Sequence, residues 1–103
     1  MKRVLILYNS FYDRNGERLT VGRVQSYIQA LCPVIHEANM QPIILQTSDN
    51  VFVNEWNGVT VYGIKIGKNK KVRKVLLDWC YKLGDPNNDI IIYGSDIFAI
   101  KSS

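Results

Sequence analysis

The chain has 103 residues, 47% of them apolar and 21% charged, a mix that suits one compact domain and excludes a disordered polymer as a global description. A formal charge of +4 and a pI of about 9.2 favour phosphate groups, anionic lipid or nucleic acid as partners and choose among none of them. No run approaches the ~20 apolar residues of a membrane-spanning helix, and the apolar start breaks at Asn9-Ser10, short of a signal peptide's core, so a cytoplasmic location is expected.

Arg3 to Tyr8 is a continuous β-branched and aliphatic run, the pattern of a strand covered on both faces. Asn9 to Thr20 reads as a long polar loop. Val21, Val24, Ile28, Leu31 and Ile35 then recur at three- and four-residue steps, the stripe of an amphipathic helix, with Thr20 as N-cap and Asn39 at the left-handed position beyond the last turn. Pro33 predicts a kink or break near Leu31–Pro33, because an interior proline costs on the order of 3 kcal/mol.

Pro42 to Thr47 reads as a second strand, its proline tolerated as the first residue. Val51–Trp56 and Val59–Ile66 flank Asn57-Gly58, a hairpin signal, since a type I′ turn needs positive φ at both central residues. Asn69 to Leu83 is a second amphipathic helix with Val72, Val75, Leu76, Trp79, Cys80 and Leu83 on its apolar face, which assigns Trp79 to the core. Cys32 and Cys80 fall on buried helix faces as ordinary core thiols. Gly84–Asn88 is a turn, and Asp89–Gly94 a further strand buried on both faces. The order strand, helix, strand, hairpin, helix, strand predicts an α/β, Rossmann-like three-layer domain with a mostly parallel sheet and a β-hairpin.

In open sheets of this kind, ligands bind beyond the carboxyl ends of the strands where strand order reverses. With the first strand central and the last strand on its other flank, Asn9, Ser10 and the following loop face Gly94, Ser95 and Asp96. Gly22 falls in the first turn of the first helix, whose positive end favours an anion; close packing is the competing explanation for that glycine. Asn9, Ser10, Gly16 and Gly22 are therefore candidates for one lip of a site, and Gly94, Ser95 and Asp96 for the other.

Val4-Leu5-Ile6-Leu7-Tyr8-Asn9-Ser10-Phe11-Tyr12, a polar gap, and Gly22-Arg23-Val24-Gln25-Ser26-Tyr27-Ile28-Gln29-Ala30-Leu31 resemble the opening of GT-B glycosyltransferases, closest to the large retaining family that uses nucleotide-sugar donors. Glu37 to Leu45 resembles that family's helix-to-strand passage, Asn57-Gly58-Val59-Thr60-Val61-Tyr62 its hairpin, and Asp89–Tyr93 the strand before its ligand-facing residues. The resemblance implies half of a GT-B fold: the N-terminal, acceptor-side domain of an enzyme transferring a sugar from a nucleotide-sugar donor to a hydroxyl, as in polysaccharide synthesis. It also implies that donor and acceptor are held only together with a C-terminal domain, and that these 103 residues are inactive alone. The family's adjacent glycine pair is absent from the first loop, where only Gly16 and Gly22 occur. Catalytic residues are not assigned by this stretch, and neither cofactor nor metal is implied.

Other motifs are weaker. No Gly-x-Gly-x-x-Gly follows the first strand, and Gly63–Lys68 is too short for a P-loop, with Asn69 where Ser or Thr is required. His36 lacks partners for catalysis or metal binding and reads as a helix-surface residue. Among Asp13, Asp85 and Asp96, only Asp96 lies at a strand's carboxyl end, where a turn or cap role suffices. The basic cluster Lys65, Lys68, Lys70, Lys71, Arg73 and Lys74 reads first as a solvated face. Its functional alternative, carried by Lys68, Lys70, Lys71, Arg73 and Lys74 with Trp79 and Tyr81 nearby, is peripheral contact with anionic membrane at the inner face. A flavodoxin-like module holding a phosphate ligand in the Asn9–Thr20 loop is the main rival to the glycosyltransferase reading; a basic domain binding nucleic acid or membrane is the third, with nucleic acid the less favoured partner.

Overall fold

The computed structural model describes residues 2–8, 10–66, 71–83 and 89–93. The elements are β1 (Arg3–Leu7), α1 (Arg23–Glu37), β2 (Gln41–Ser48), β3 (Phe52–Trp56), β4 (Val59–Lys65), α2 (Val72–Leu83) and β5 (Ile90–Tyr93). They build one five-stranded sheet of order β3-β4-β2-β1-β5. β1 pairs in parallel with both β2 and β5, β2 pairs in parallel with β4, and only the β3–β4 hairpin is antiparallel.

The period of two within the apolar strands sorts side chains to opposite faces. Val4 and Ile6 of β1, Ile44 of β2, and Val59 and Val61 of β4 pack under α1 through Ile28, Cys32 and Ile35. Leu5, Leu7, Ile43, Leu45 and Ile64 meet Leu76 and Cys80 of α2 on the other face. The fold is therefore three-layered and doubly wound, and its continuous apolar strands are explained by burial on both sides. Fully burying a side chain such as Ile28 or Ile44 contributes about 2 kcal/mol.

Local chemistry explains the joints. Asn57 and Gly58 have φ of 47° and 81°, the two positive values the hairpin requires. Asn39, at φ 62°, ends α1 in the left-handed region, and Met40 N–H closes back on the Ile35 carbonyl at 3.1 Å. Pro42 is the second residue of β2, not the first. Gln41 N–H bonds the Lys2 carbonyl on the β1 side, so the proline's missing donor faces β4, ahead of the first β2–β4 pair, Ile43 with Thr60.

Several expectations are corrected. α1 runs unbroken through Pro33, whose ring is exposed while Cys32 and Ile35 hold the helix to the sheet. The helix starts at Arg23 with Gly22 as N-cap, two residues beyond Thr20, whose hydroxyl turns back to donate to the carbonyls of Ser10 and Phe11. Val21 consequently precedes the helix and is fully exposed rather than part of the apolar stripe. Trp79 lies at the margin of the α2 stripe, 36% exposed, with Lys82 Nζ 5.0 Å from its ring centroid. β5 is an edge strand among the described residues, with Ile90 exposed and Ile91 and Ile92 half-buried, where burial on both faces was expected.

Candidate functional site

From β1 the chain winds outward through β2 to the β3–β4 hairpin, then returns over the opposite face to place β5 on the other flank of β1. Strand order therefore reverses between β1 and β5. Their carboxyl ends lie side by side, with Leu7 registered against Tyr93. Ser10 follows this edge, half-buried, its carbonyl held by Thr20. Asn9, Gly94, Ser95 and Asp96 lie outside the described residues.

The start of α1 follows closely, since Thr20, which holds the Ser10 carbonyl, stands two residues before its N-cap. Gly22 has φ 166°, extended backbone open to any residue, and a Cβ built on it meets nothing within 4 Å. Close packing therefore does not explain the glycine. No side chain caps the helix and its first turn holds no acidic residue. The first helical bond runs from Ser26 N–H to the Gly22 carbonyl at 3.0 Å, so the amides of Val24 and Gln25 keep no helical acceptor. Gln25 is buried at 3% exposure, and its Nε2 finds no hydrogen-bond partner. An orphaned buried donor costs about 1–3 kcal/mol. Sequence reasoning missed Gln25; its polar side chain one turn before Ile28, on the buried face of α1, was the available signal. Val21, Gly22, Arg23, Ser26 and Tyr27 line a shallow depression beside it.

The 10–20 loop behaves differently from a phosphate cradle. Tyr12 and Leu19 form an antiparallel bridge, and Asp13 N–H donates to the Arg18 carbonyl at 2.7 Å. The Asp13 carboxylate accepts the N–H groups of Glu17 at 2.9 Å and Asn15 at 3.2 Å, bonds that hold its pKa below the usual value, Glu17's foremost. The buried Gln46 amide brackets Tyr12, its Oε1 accepting the Tyr12 N–H and its Nε2 donating to the Tyr12 carbonyl at 3.1 Å. Arg14 pairs with Asp49 at 2.8 Å.

These bonds carry Gly16 away from the β1–β5 edge. Its φ is +74°, a built Cβ falls 2.6 Å from the Phe52 ring, and its carbonyl accepts Asn54 Nδ2 at 2.6 Å. Gly16 thus lies against β3, three strands from β1, and is not brought together with Ser10 and Gly22. Phe52 is clasped on its other side by Gly63, where a Cβ would overlap the ring. Phe11, Tyr12, Phe52 and Trp56 stack edge-to-face around this point at centroid distances of 5.4–5.9 Å.

On the α2 face, Lys65, Lys71, Lys74 and Lys82 line a groove with Val75, Asp78 and Trp79. Lys68, Lys70 and the Arg73 side chain lie outside the described residues. Lys82 was not included in the sequence cluster, although it follows Lys74 and Asp78 at four-residue steps on one helix face.

Both thiols are buried and free, and burial raises each to about 11; at Cys80 the Asp89 charge adds to it. His36 is exposed on α1. Among the described residues, no three His, Cys, Asp or Glu side chains converge as metal ligands, and no helix is long and apolar enough to cross a membrane. Neither a protein-family model, nor a curated protein, nor a solved structure matches the chain. Fold and edge together define a doubly wound α/β domain whose switch point lies between β1 and β5.

Proposed function

We propose that this chain is the N-terminal, acceptor-side half of a GT-B-type glycosyltransferase, inactive alone, whose β1–β5 edge faces the phosphate-bearing donor across a cleft completed by a C-terminal domain. The observation that carries this reading is the parallel β1–β5 pair at the strand-order reversal, with the uncapped start of α1 beside it. The amides at the start of α1 keep no helical acceptor and the first turn holds no carboxylate, which suits a phosphate or sugar oxygen. In this reading Ser10 and Gly22 face the ligand directly, and Asn9, Gly94, Ser95 and Asp96 belong to the same lips. The domain contributes binding and orientation, because transfer requires both reactants held in one cleft.

The flavodoxin-like alternative draws on the 10–20 loop as its phosphate cradle. The N–H groups of Tyr12, Asp13, Asn15, Gly16, Glu17 and Thr20 are already donated to acceptors within the chain, so that reading has less support. The test is nucleoside diphosphate release from a panel of nucleotide sugars, measured on the 103 residues and on the same chain joined to the reading frame beyond Ser103. The proposal expects release only from the longer protein, lost on Gly22→Asp. A longer frame without a second α/β half, or release that ignores Gly22→Asp, contradicts it.

A further inference from the structure

The α2 face carries a charge arrangement that folding alone does not reward. Lys71 and Lys74 stand at the amino-terminal end of α2, and Lys65 ends β4 just before it. Cations at that end oppose the helix dipole, and the first turn holds no acidic residue to compensate. Among the described residues, none of these three ammonium groups, nor Lys82, has a carboxylate within ion-pair distance. Among the described residues, Asp78 is the single carboxylate lining the groove. The four lysines surround a concavity of ≈ 290 Å³ floored by Val75 and the partly exposed Trp79 ring. That is room for a small, multiply charged group, given about 30 Å³ per water in the liquid.

We propose that this groove is a second anion site, independent of the β1–β5 edge, binding a ligand with clustered phosphate groups through Lys65, Lys71, Lys74 and Lys82. The ligand's charge supplies the counterion that the helix start lacks. The same chemistry serves a free polyphosphate or a phosphate-bearing lipid headgroup. α1 and α2 cover opposite faces of the sheet, so the two sites are separable by substitution.

The experiment titrates inorganic tripolyphosphate into the protein at low salt, with Trp79 fluorescence and calorimetry as readouts. Vesicles of phosphatidylcholine, with and without phosphatidylglycerol, form the second arm. Saturable tripolyphosphate binding is expected, weakened about tenfold or more in Lys74→Gln/Lys82→Gln, since each charge-assisted bond contributes roughly a factor of ten. Lys2→Gln/Arg18→Gln removes the same net charge from exposed positions outside the groove and is expected to bind as the parent does. Binding to phosphatidylglycerol vesicles alone, with the same variant dependence, supports the site and assigns a lipid source. Binding to neither probe, or equal weakening by both variant pairs, overturns the proposal. All four positions are exposed, and thermal melts verify that the variants are folded.

Discussion

Arg3 and Asp89 form a forked ion pair, Nη2 to Oδ2 at 2.7 Å and Nε to Oδ1 at 3.3 Å, that clamps the start of β1 to the residue preceding β5. The clamp settles something that β5 cannot settle for itself. Ile90, Ile91 and Ile92 are equally apolar, so a one-residue slip exchanges the faces of near-identical side chains at little cost in pattern. The pair fixes Val4 against Ile90 at one end, and hence Leu7 against Tyr93 at the other. The Asp89 side chain is 4% exposed and Arg3 30%, so the guanidinium keeps water that the carboxylate does not.

Removing Arg3 therefore costs more than removing the charge on Asp89. Arg3→Ala is expected to lose about 3 kcal/mol of stability, the low end for breaking a buried pair, and Asp89→Asn about 1–2 kcal/mol. Urea midpoints of the two variants check the order; equal losses below 1 kcal/mol would show that the clamp is not desolvated.

The glycines separate into structural and open positions. Gly63→Ala forces a methyl into the Phe52 ring and Gly16→Ala adds unfavourable positive φ, so each is expected to cost about 1–3 kcal/mol. Gly22→Ser adds a hydroxyl cap where nothing is displaced and is expected to be neutral or stabilising by a few tenths of a kcal/mol. Thermal melts of the three variants test the sorting.

Gln25 carries a stability cost, an unpaired buried amide donor. Gln25→Met removes the orphaned donor at similar shape, and about 1–3 kcal/mol of stabilisation is expected from denaturant melts. A destabilised Gln25→Met would mean that the amide is satisfied in solution.

How much was legible from the residues alone divides along physical lines. Asn57-Gly58 and Asn39 were readable because positive φ is a local demand met by local chemistry. The two-faced burial of β1 was readable from its continuous apolar run. Thr20 has the chemistry of a cap, but where the helix begins, at Gly22 two residues later, is set by the loop's own fold. Gly16 lies against Phe52 and Asn54, far along the chain, which nothing in its neighbours announces. Arg3 and Asp89 lie 86 residues apart, beyond any pattern reading. Apolar periodicity also reports which side chains prefer burial without reporting what lies beside β5 or over Trp79, and both proved more exposed than their patterns implied.

The buried thiols make an alkaline prediction. Unfolded cysteine ionises near 9.0, whereas burial holds Cys32 and Cys80 protonated to about 11. Between those values the unfolded chain binds fewer protons than the folded one, so the thiol contribution present below pH 9 is lost as pH rises through 11. Comparing urea midpoints at pH 8 and pH 10 for the parent and Cys32→Ala/Cys80→Ala isolates the thiol share, with the steeper loss expected in the parent. Both thiols are also expected to resist disulfide reagents at pH 8 until the protein unfolds, since the thiolate is the reacting form.

The site itself is tested most directly by amide mapping. Titrating a nucleoside diphosphate into isotope-labelled protein is expected to shift Ser10, the backbone amides of Gly22 to Ser26, and the Gln25 side-chain amide, while Asn15 to Glu17 stay unmoved. Shifts confined to Asn15–Glu17 or to the α2 lysines, with residues 22–26 silent at saturation, would contradict the assignment of the β1–β5 edge as the ligand-facing edge.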